Sequence, residues 1–246
     1  MRDIGKYEKE YCSTDFEKEH MTRYRRRKIL EILDKYKPES ILEVGCGMHS
    51  VAEYYSDYKS FTIVEPGDMF LSKVKTNLRD KTDITYIHGF MEDMTEELQK
   101  KSYDFIIVSS LLHEVENPMQ FLEKINALCN ENTIVHVNVP NELSMHRIIA
   151  YECGMIDSLS NLSERAVLWQ QNTVFNLKTL QELICKSGNV RIVETGSYFI
   201  KPFTHNQMDK CIENGIITEQ ILDGLYNIVK YMPEYGAEIF CNYKMD

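Results

Sequence analysis

Ser40-Ile41-Leu42-Glu43-Val44-Gly45-Cys46-Gly47 decides the fold. The run is apolar except for Glu43, begins just after Pro38 and ends in a glycine turn. It reads as a buried strand entering a tight turn at its carboxyl end. Upstream, residues 17–36 carry a charged helical pattern whose apolar positions gather late, at Ile29, Leu30, Ile32 and Leu33. Pro38 stops that helix because proline cannot continue the backbone ladder.

Downstream the pattern repeats. A helix is predicted near 49–57, then a strand over 61–64 ending at Glu65-Pro66-Gly67. Asp68 is placed to cap a helix through Leu78. Strands follow at 84–87, 103–108 and 133–139, separated by helices at 94–100 and 118–128, the second with Pro118 in its first turn. The rhythm breaks at Pro140. Two helices, near 142–153 and 177–187, fill the interval before the next strand at 190–194, so an inserted helical cap is expected over about 141–187, in place of a long structureless loop. A helical stretch over 205–230 and a strand over 237–243 close the chain, the strand expected to pair antiparallel at the sheet edge. The reading is α/β: one domain over 1–246 with a doubly wound, mostly parallel seven-stranded sheet, an N-terminal helical lid over about 1–37 and the cap.

The chain has 246 residues and a formal net charge of −10, with 43% hydrophobic and 27% charged residues. The acidic balance counts against a broad nucleic-acid or anionic-membrane surface, since phosphate binding needs clustered positive charge. The basic run Arg23 to Lys28 spreads around its helix beside acids and reads as a solvated face. No run reaches the length of a membrane span, and the first residues show no apolar signal core. The seven cysteines are scattered with no C-x-x-C pair. They predict reduced thiols in a cytoplasmic protein, not a disulfide framework or zinc site.

Ligands of open α/β sheets bind at the carboxyl ends of the strands. Gly45 and Gly47 let backbone approach a ligand there, and Glu65, at the end of the next strand, can accept both hydroxyls of a ribose. A structural turn plus a surface glutamate is the alternative. The two features on consecutive strands favour a nucleoside-type cofactor. Ser50 stands where a dinucleotide fingerprint has its third glycine. Glu43, buried in its strand, requires a cationic or hydrogen-bonding partner, which an amino-acid ammonium would supply and a pyrophosphate would not.

Residues 41–47 resemble motif I of the class I S-adenosylmethionine (SAM)-dependent methyltransferases. Glu65 matches the family's ribose-binding acid. Gly89-Phe90-Met91-Glu92-Asp93 stands where the family contacts adenine, although the acid often found at the position of Phe90 is missing. Residues 103–115, ending Ser109-Ser110-Leu111-Leu112-His113-Glu114-Val115, are similar to the fourth-strand motif of the small-molecule, ubiquinone-methyltransferase-like branch. The resemblance covers about 38–140. It implies SAM as cofactor, held by Glu43, Gly45, Cys46, Gly47, Glu65, Pro66, Met69, Phe90, Met91, Glu92, Ser109 and Ser110.

For the acceptor, Ser109-Ser110-Leu111-Leu112 lacks the Asp/Asn-Pro-Pro-aromatic turn of base-modifying N-methyltransferases. His113 is a candidate general base for a substrate hydroxyl and Glu114 a candidate partner for its ring, with a capping or cofactor-shell histidine as the alternative. Asn138 and Asn141 do not make a hard-cation site, so no metal is expected. The run from Pro140 and Asn141 to Ser144, His146 and Arg147, with Lys201-Pro202 later, resembles a branch associated with bacterial surface-glycan pathways. Asn141, His146, Arg147 and Lys201, with His205 nearby, are candidate contacts to a small anionic acceptor. Tyr11 and Arg25 are candidate lid contacts, or parts of a packing helix. The expected reaction is O-methylation of a sugar or nucleotide-linked precursor. Methylation of nitrogen or a phosphorus-linked oxygen, or a non-catalytic SAM-binding subunit, are the alternatives.

Overall fold

The structure, a computed structural model, describes residues 3–11, 20–162, 166–167 and 170–246. Seven strands form one sheet: β1 (Ser40–Val44), β2 (Ser60–Glu65), β3 (Ile84–His88), β4 (Phe105–Ser109), β5 (Ile134–Pro140), β6 (Val190–Tyr198) and β7 (Glu238–Met245), in the order β3-β2-β1-β4-β5-β7-β6. β1 pairs in parallel with both β2 and β4. The chain therefore winds outward in one direction through β2 and β3 and in the other through β4 and β5. The crevice between the carboxyl ends of β1 and β4 is the switch point at which such sheets bind ligands.

Alternate side chains of the central strands bury on opposite faces, as a doubly covered sheet requires. Ile41, Phe105 and Ile107 join one core with Leu33, Phe61 and Phe240, while Leu42, Val44, Ile106 and Val108 join the other with Leu122 and Tyr243. Helix α2 (Thr22–Tyr36) covers the first face. Helices α5 (Pro118–Asn126) and α7 (Leu177–Lys186) cover the second, so the last part of the segment expected as a cap is a sheet-covering helix, because Leu180 and Ile184 bury in that core.

Several sequence expectations need correction. β7 is antiparallel but lies inside the sheet, paired with both β5 and β6, and β6 forms the edge. Burial explains the order: residues 238–243 are all buried, whereas β6 alternates towards solvent, with Val193 38% exposed. The helix expected at 49–57 shrinks to a single 3₁₀ turn, Val51–Glu53, whose first amide is taken by Glu43. Asp68 does not cap α3 (Asp68–Asn77). Gly67 is the cap residue, and the amides of Met69 and Phe70 donate to Glu8 Oε1 at 2.9 and 3.4 Å. Glu8 lies on α1 (Ile4–Tyr11), so a distant carboxylate does what a local one was expected to do. The helix expected over 205–230 splits into α8 (His205–Glu213) and α9 (Glu219–Asn227). Gly215, at φ +67°, takes the left-handed position after α8 that ends helices, and Thr218 caps the next. Among the described residues are also α4 (Thr95–Leu98) and, after β5, α6 (Met145–Glu152).

Candidate active site

A cavity of about 740 Å³ opens over the carboxyl ends of β1, β2 and β4 and extends beneath α1, α2 and α6. The glycine turn forms part of its wall. Gly45 and Gly47 adopt φ of +76° and +58°, a region that side-chain-bearing residues rarely occupy. A Cβ on Gly47 would meet nothing within 4 Å, so the backbone there borders open cavity. Gly45 instead sits against Leu111, whose methyl would lie 3.4 Å from an added Cβ.

Glu65, 4% exposed, is held by two amides: Gly67 N donates to Oε1 at 2.8 Å and Gly47 N to Oε2 at 3.1 Å. The Cys46 thiol approaches Oε2 at 3.7 Å. Burial, then the charges of Glu65 and Glu43, push that thiol well above its usual pKa, so Cys46 is a neutral sulfhydryl. A carboxylate fixed this way is acceptor-only and can take ribose hydroxyls, the weak thiol donor giving way.

Glu43 also lines the cavity, but it finds its partners inside the chain. Val51 N donates to Oε1 at 3.0 Å, and the Ser50 hydroxyl makes a short hydrogen bond to Oε2. Burial raises its pKa to about 7 against those bonds, helped by the charges of Glu65 and Glu53. No cofactor ammonium is needed to satisfy it. Its role in this structure is to fasten the glycine turn to the 3₁₀ turn behind it.

Pro66, Phe90, Met91, Glu92, Ser109 and Ser110 all line the cavity. Ser110 carries φ +52°, a strained value for a serine, at the point where β4 turns under the cavity. Met69 does not belong with them. It is 42% exposed and points outward at the start of α3, while its neighbour Phe70 faces inward.

His113 and Glu114 are buried in the cavity wall at 2% and 3% exposure, with His113 Nε2 3.7 Å from Glu114 Oε1. Tyr7 of α1 donates its hydroxyl to the same carboxylate oxygen at 3.0 Å. The carbonyl of His113 accepts from the amides of Asn172 and Thr173 at 2.8 and 3.2 Å. This short segment thus joins the N-terminal helix, the fourth strand and the cap.

The candidate lid contact Arg25 and two candidate acceptor contacts, Asn141 and Arg147, are engaged by the protein itself. Arg25 forms a two-pronged ion pair with Glu238, with side chains 12% and 3% exposed. Asn141 donates to the carbonyls of Glu234 and Gly236 and accepts from Leu143 N, so its amide holds a turn. Arg147 donates through Nη2 to the carbonyls of Leu159 and Asn161 at 2.6 and 2.7 Å and ties down the cap. His146, Lys201 and His205 line the cavity together, on the β5–β7–β6 half of the sheet. The Tyr11 side chain lies outside the described residues.

Sequence reasoning missed Tyr7, Glu8 and Glu238. Glu238 receives Asn138 Nδ2 at 3.0 Å and a short bond from the Tyr198 hydroxyl, besides Arg25. A glutamate within the apolar run Ala237-Glu238-Ile239-Phe240 is the same signal that singled out Glu43, so it was available. Among the described residues no group of three or more His, Cys, Asp or Glu is placed to hold a metal ion.

A family model described as a methyltransferase domain matches residues 18–188. The chain belongs to this family. It is a SAM-dependent methyltransferase, and SAM is its cofactor. A search of curated proteins finds no match. Solved methyltransferase structures share the fold. A possible histamine N-methyltransferase from Thermotoga maritima is 16% identical, with a TM-score of 0.60 over 91% of this chain and 90% of that one. The N-methyltransferase NodS from Bradyrhizobium japonicum, in complex with S-adenosylhomocysteine, is 11% identical, with a TM-score of 0.55 over 95% and 89%. The plantazolicin methyltransferase BamL, in complex with a triazolic desmethylPZN analog and S-adenosylhomocysteine, is 14% identical, with a TM-score of 0.59 over 93% and 86%.

Proposed function

We propose that this methyltransferase belongs to the small-molecule, ubiquinone-methyltransferase-like branch. In this reading it O-methylates a small anionic acceptor in the cytoplasm, a sugar or nucleotide-linked precursor of surface polysaccharide. Neither nucleic acid nor membrane is its partner. The observation that carries the reading is the composition of the cavity. One half has the glycine turn and Glu65, which suit a nucleoside, and the other has Lys201, His146 and His205, which suit an anion. No helix among the described residues is long and apolar enough to cross a membrane.

When bound, SAM supplies an electrophilic sulfonium methyl. The chain's contribution is binding and alignment, which can account for much of the barrier lowering in a displacement of this kind. Glu65 would hold the ribose, the backbone at Gly45 and Gly47 would pass close to the amino-acid portion, and Phe90, Met91 and Glu92 would border the adenine. Helices α1 and α6, which border the cavity, exclude water. His113 is the candidate to take the hydroxyl proton, with Glu114 beside its Nε2.

A second reading, N-methylation, draws on two of the similar structures, which are described as N-methyltransferases. The deciding experiment incubates the purified protein with SAM and a panel of sugar phosphates, nucleotide sugars and amines. S-adenosylhomocysteine release and product mass are measured. Hydroxyl methylation of anionic sugars is expected. Turnover confined to amines would overturn the O-methylation reading.

A further inference from the structure

Ser144 stands at the N-cap of α6, where a serine oxygen ordinarily accepts a backbone amide, yet it makes no such bond. Its hydroxyl instead lies 3.0 Å from His146 Nδ1. Ser144 is 0% exposed, and within the described residues this is its hydroxyl's one hydrogen bond. A buried hydroxyl proton left without an acceptor is costly, so the hydroxyl donates to Nδ1. That choice fixes the imidazole tautomer: Nδ1 is an acceptor and the ring proton sits on Nε2. Nε2 makes no hydrogen bond within the described residues, and the ring lines the cavity. Burial, followed by the charges of Lys201, His205 and Arg147, holds the ring neutral well below the ordinary histidine range. Glu142, which acts on Arg147, is the acid on the same segment.

We propose that His146 presents Nε2–H to the acceptor as a hydrogen-bond donor, not as a base, and that with the buried Lys201 it forms the subsite for an anionic oxygen group of the acceptor. Ser144 is the positioning residue that sets the tautomer. The ring then offers an Nε2–H donor in the field of the Lys201 charge, while proton removal falls to another group. The inference rests on the methyl-transfer reading of the cavity and specifies how its acceptor is held.

The test is long-range proton–nitrogen NMR on protein labelled in its histidines, with His146 assigned by loss of its signals in His146→Gln. The expected result is an Nε2–H ring in the wild type. Inorganic phosphate should shift its Nε2 signal saturably, with acetate as the second arm to separate a phosphoryl from a carboxylate preference. Ser144→Ala should let the Nδ1–H form appear and weaken phosphate binding by the factor through which the Nε2–H population falls. Lys201→Gln should weaken it by at least as much with the tautomer intact. An Nδ1–H ring in the wild type would overturn the proposal. So would an absence of shift with both anions, or equal phosphate affinity in wild type, Ser144→Ala and Lys201→Gln. Calorimetry with SAM on the same samples separates the two levels. Normal SAM binding with an Nδ1–H ring overturns the subsite alone, whereas absent SAM binding overturns the reading beneath it.

Discussion

Replacing Glu43 by Gln should convert a pH-dependent liability into a neutral contact. Burial raises the Glu43 pKa from 4.5 to about 7 in the folded protein, with Glu65 and Glu53 adding to the shift. A carboxyl whose folded pKa is raised contributes its full stability below the unfolded pKa and loses it as pH rises through the folded one. The window is therefore about 4.5 to 7. At ~1.4 kcal/mol per pKa unit, ionising Glu43 in place costs the fold about 3 kcal/mol by pH 8. Gln keeps an oxygen for Val51 N, and its amide can donate to Ser50 Oγ, which would turn to accept it. The variant should match the wild type near pH 4.5 and gain on it as pH rises. For a chain of this size the gain corresponds to roughly 6–12 °C in Tm. Thermal melts of both proteins without ligand, from pH 4.5 to 8, measure the gap directly. A gap that stays constant across the range, or a variant that weakens relative to wild type as pH rises, would refute the raised pKa of Glu43.

Glu65→Ala removes the acceptor for two amides and for the ribose, so calorimetry should show SAM and S-adenosylhomocysteine affinity falling by roughly tenfold or more. Arg25→Ala leaves Glu238 buried without its cation, and denaturant unfolding should report a loss of about 3–5 kcal/mol. His136, fully buried with Nδ1 2.7 Å from Asn242 Oδ1, has its pKa lowered by burial to about 4. Its depressed pKa contributes stability above 6.5 that is lost as pH falls towards 4, about 3 kcal/mol in all, and His136→Gln should flatten that part of the acid limb in chemical unfolding.

The parts of the fold legible in sequence are those fixed by local pattern. Strands buried on both faces read as apolar runs, and a strand–turn–helix unit places Gly45, Gly47 and Glu65 at one edge whatever surrounds them. Position within the sheet is not local. The run at 237–243 announces a strand, but its insertion between β5 and β6 depends on which neighbours its two buried faces can cover. The same holds for the 3₁₀ turn after Gly47, where the pattern at 49–57 suits a helix but only one turn forms, its start capped by Ser50 and by the distant Glu43 carboxylate. Of the acceptor-side residues, sequence could name Arg25, Asn141 and Arg147 as donors. It could not show that each is occupied by a carboxylate or carbonyl of the chain, far away in sequence for Arg25 and Asn141 and within the same segment for Arg147.

Glu238 shows how those occupied donors still serve the site. Its carboxylate gathers Arg25 from α2, Asn138 from β5 and Tyr198 from β6 at one point on the cavity wall. A buried charge with fewer partners would be costly, so all three elements are held to a single arrangement. Arg25 is the member furthest away in sequence, and it fixes the approach of α2 over the cavity. Helix α1 reaches the same cavity through Tyr7 on Glu114 and is tied to the start of α3 through Glu8. The two helices are thus anchored on different carboxylates of the cavity wall, α2 on Glu238 and α1 on Glu114. The ion pair under α2 is almost sealed from solvent, whereas the Glu8 contact to Met69 N is exposed. Local opening follows the weaker, exposed contacts. Exchange of ligand should therefore proceed by release of α1 while α2 stays in place. Hydrogen exchange would show this as faster labelling of 4–11 than of 22–36, with S-adenosylhomocysteine slowing the first segment selectively. Equal protection of the two helices without ligand would refute the ordering.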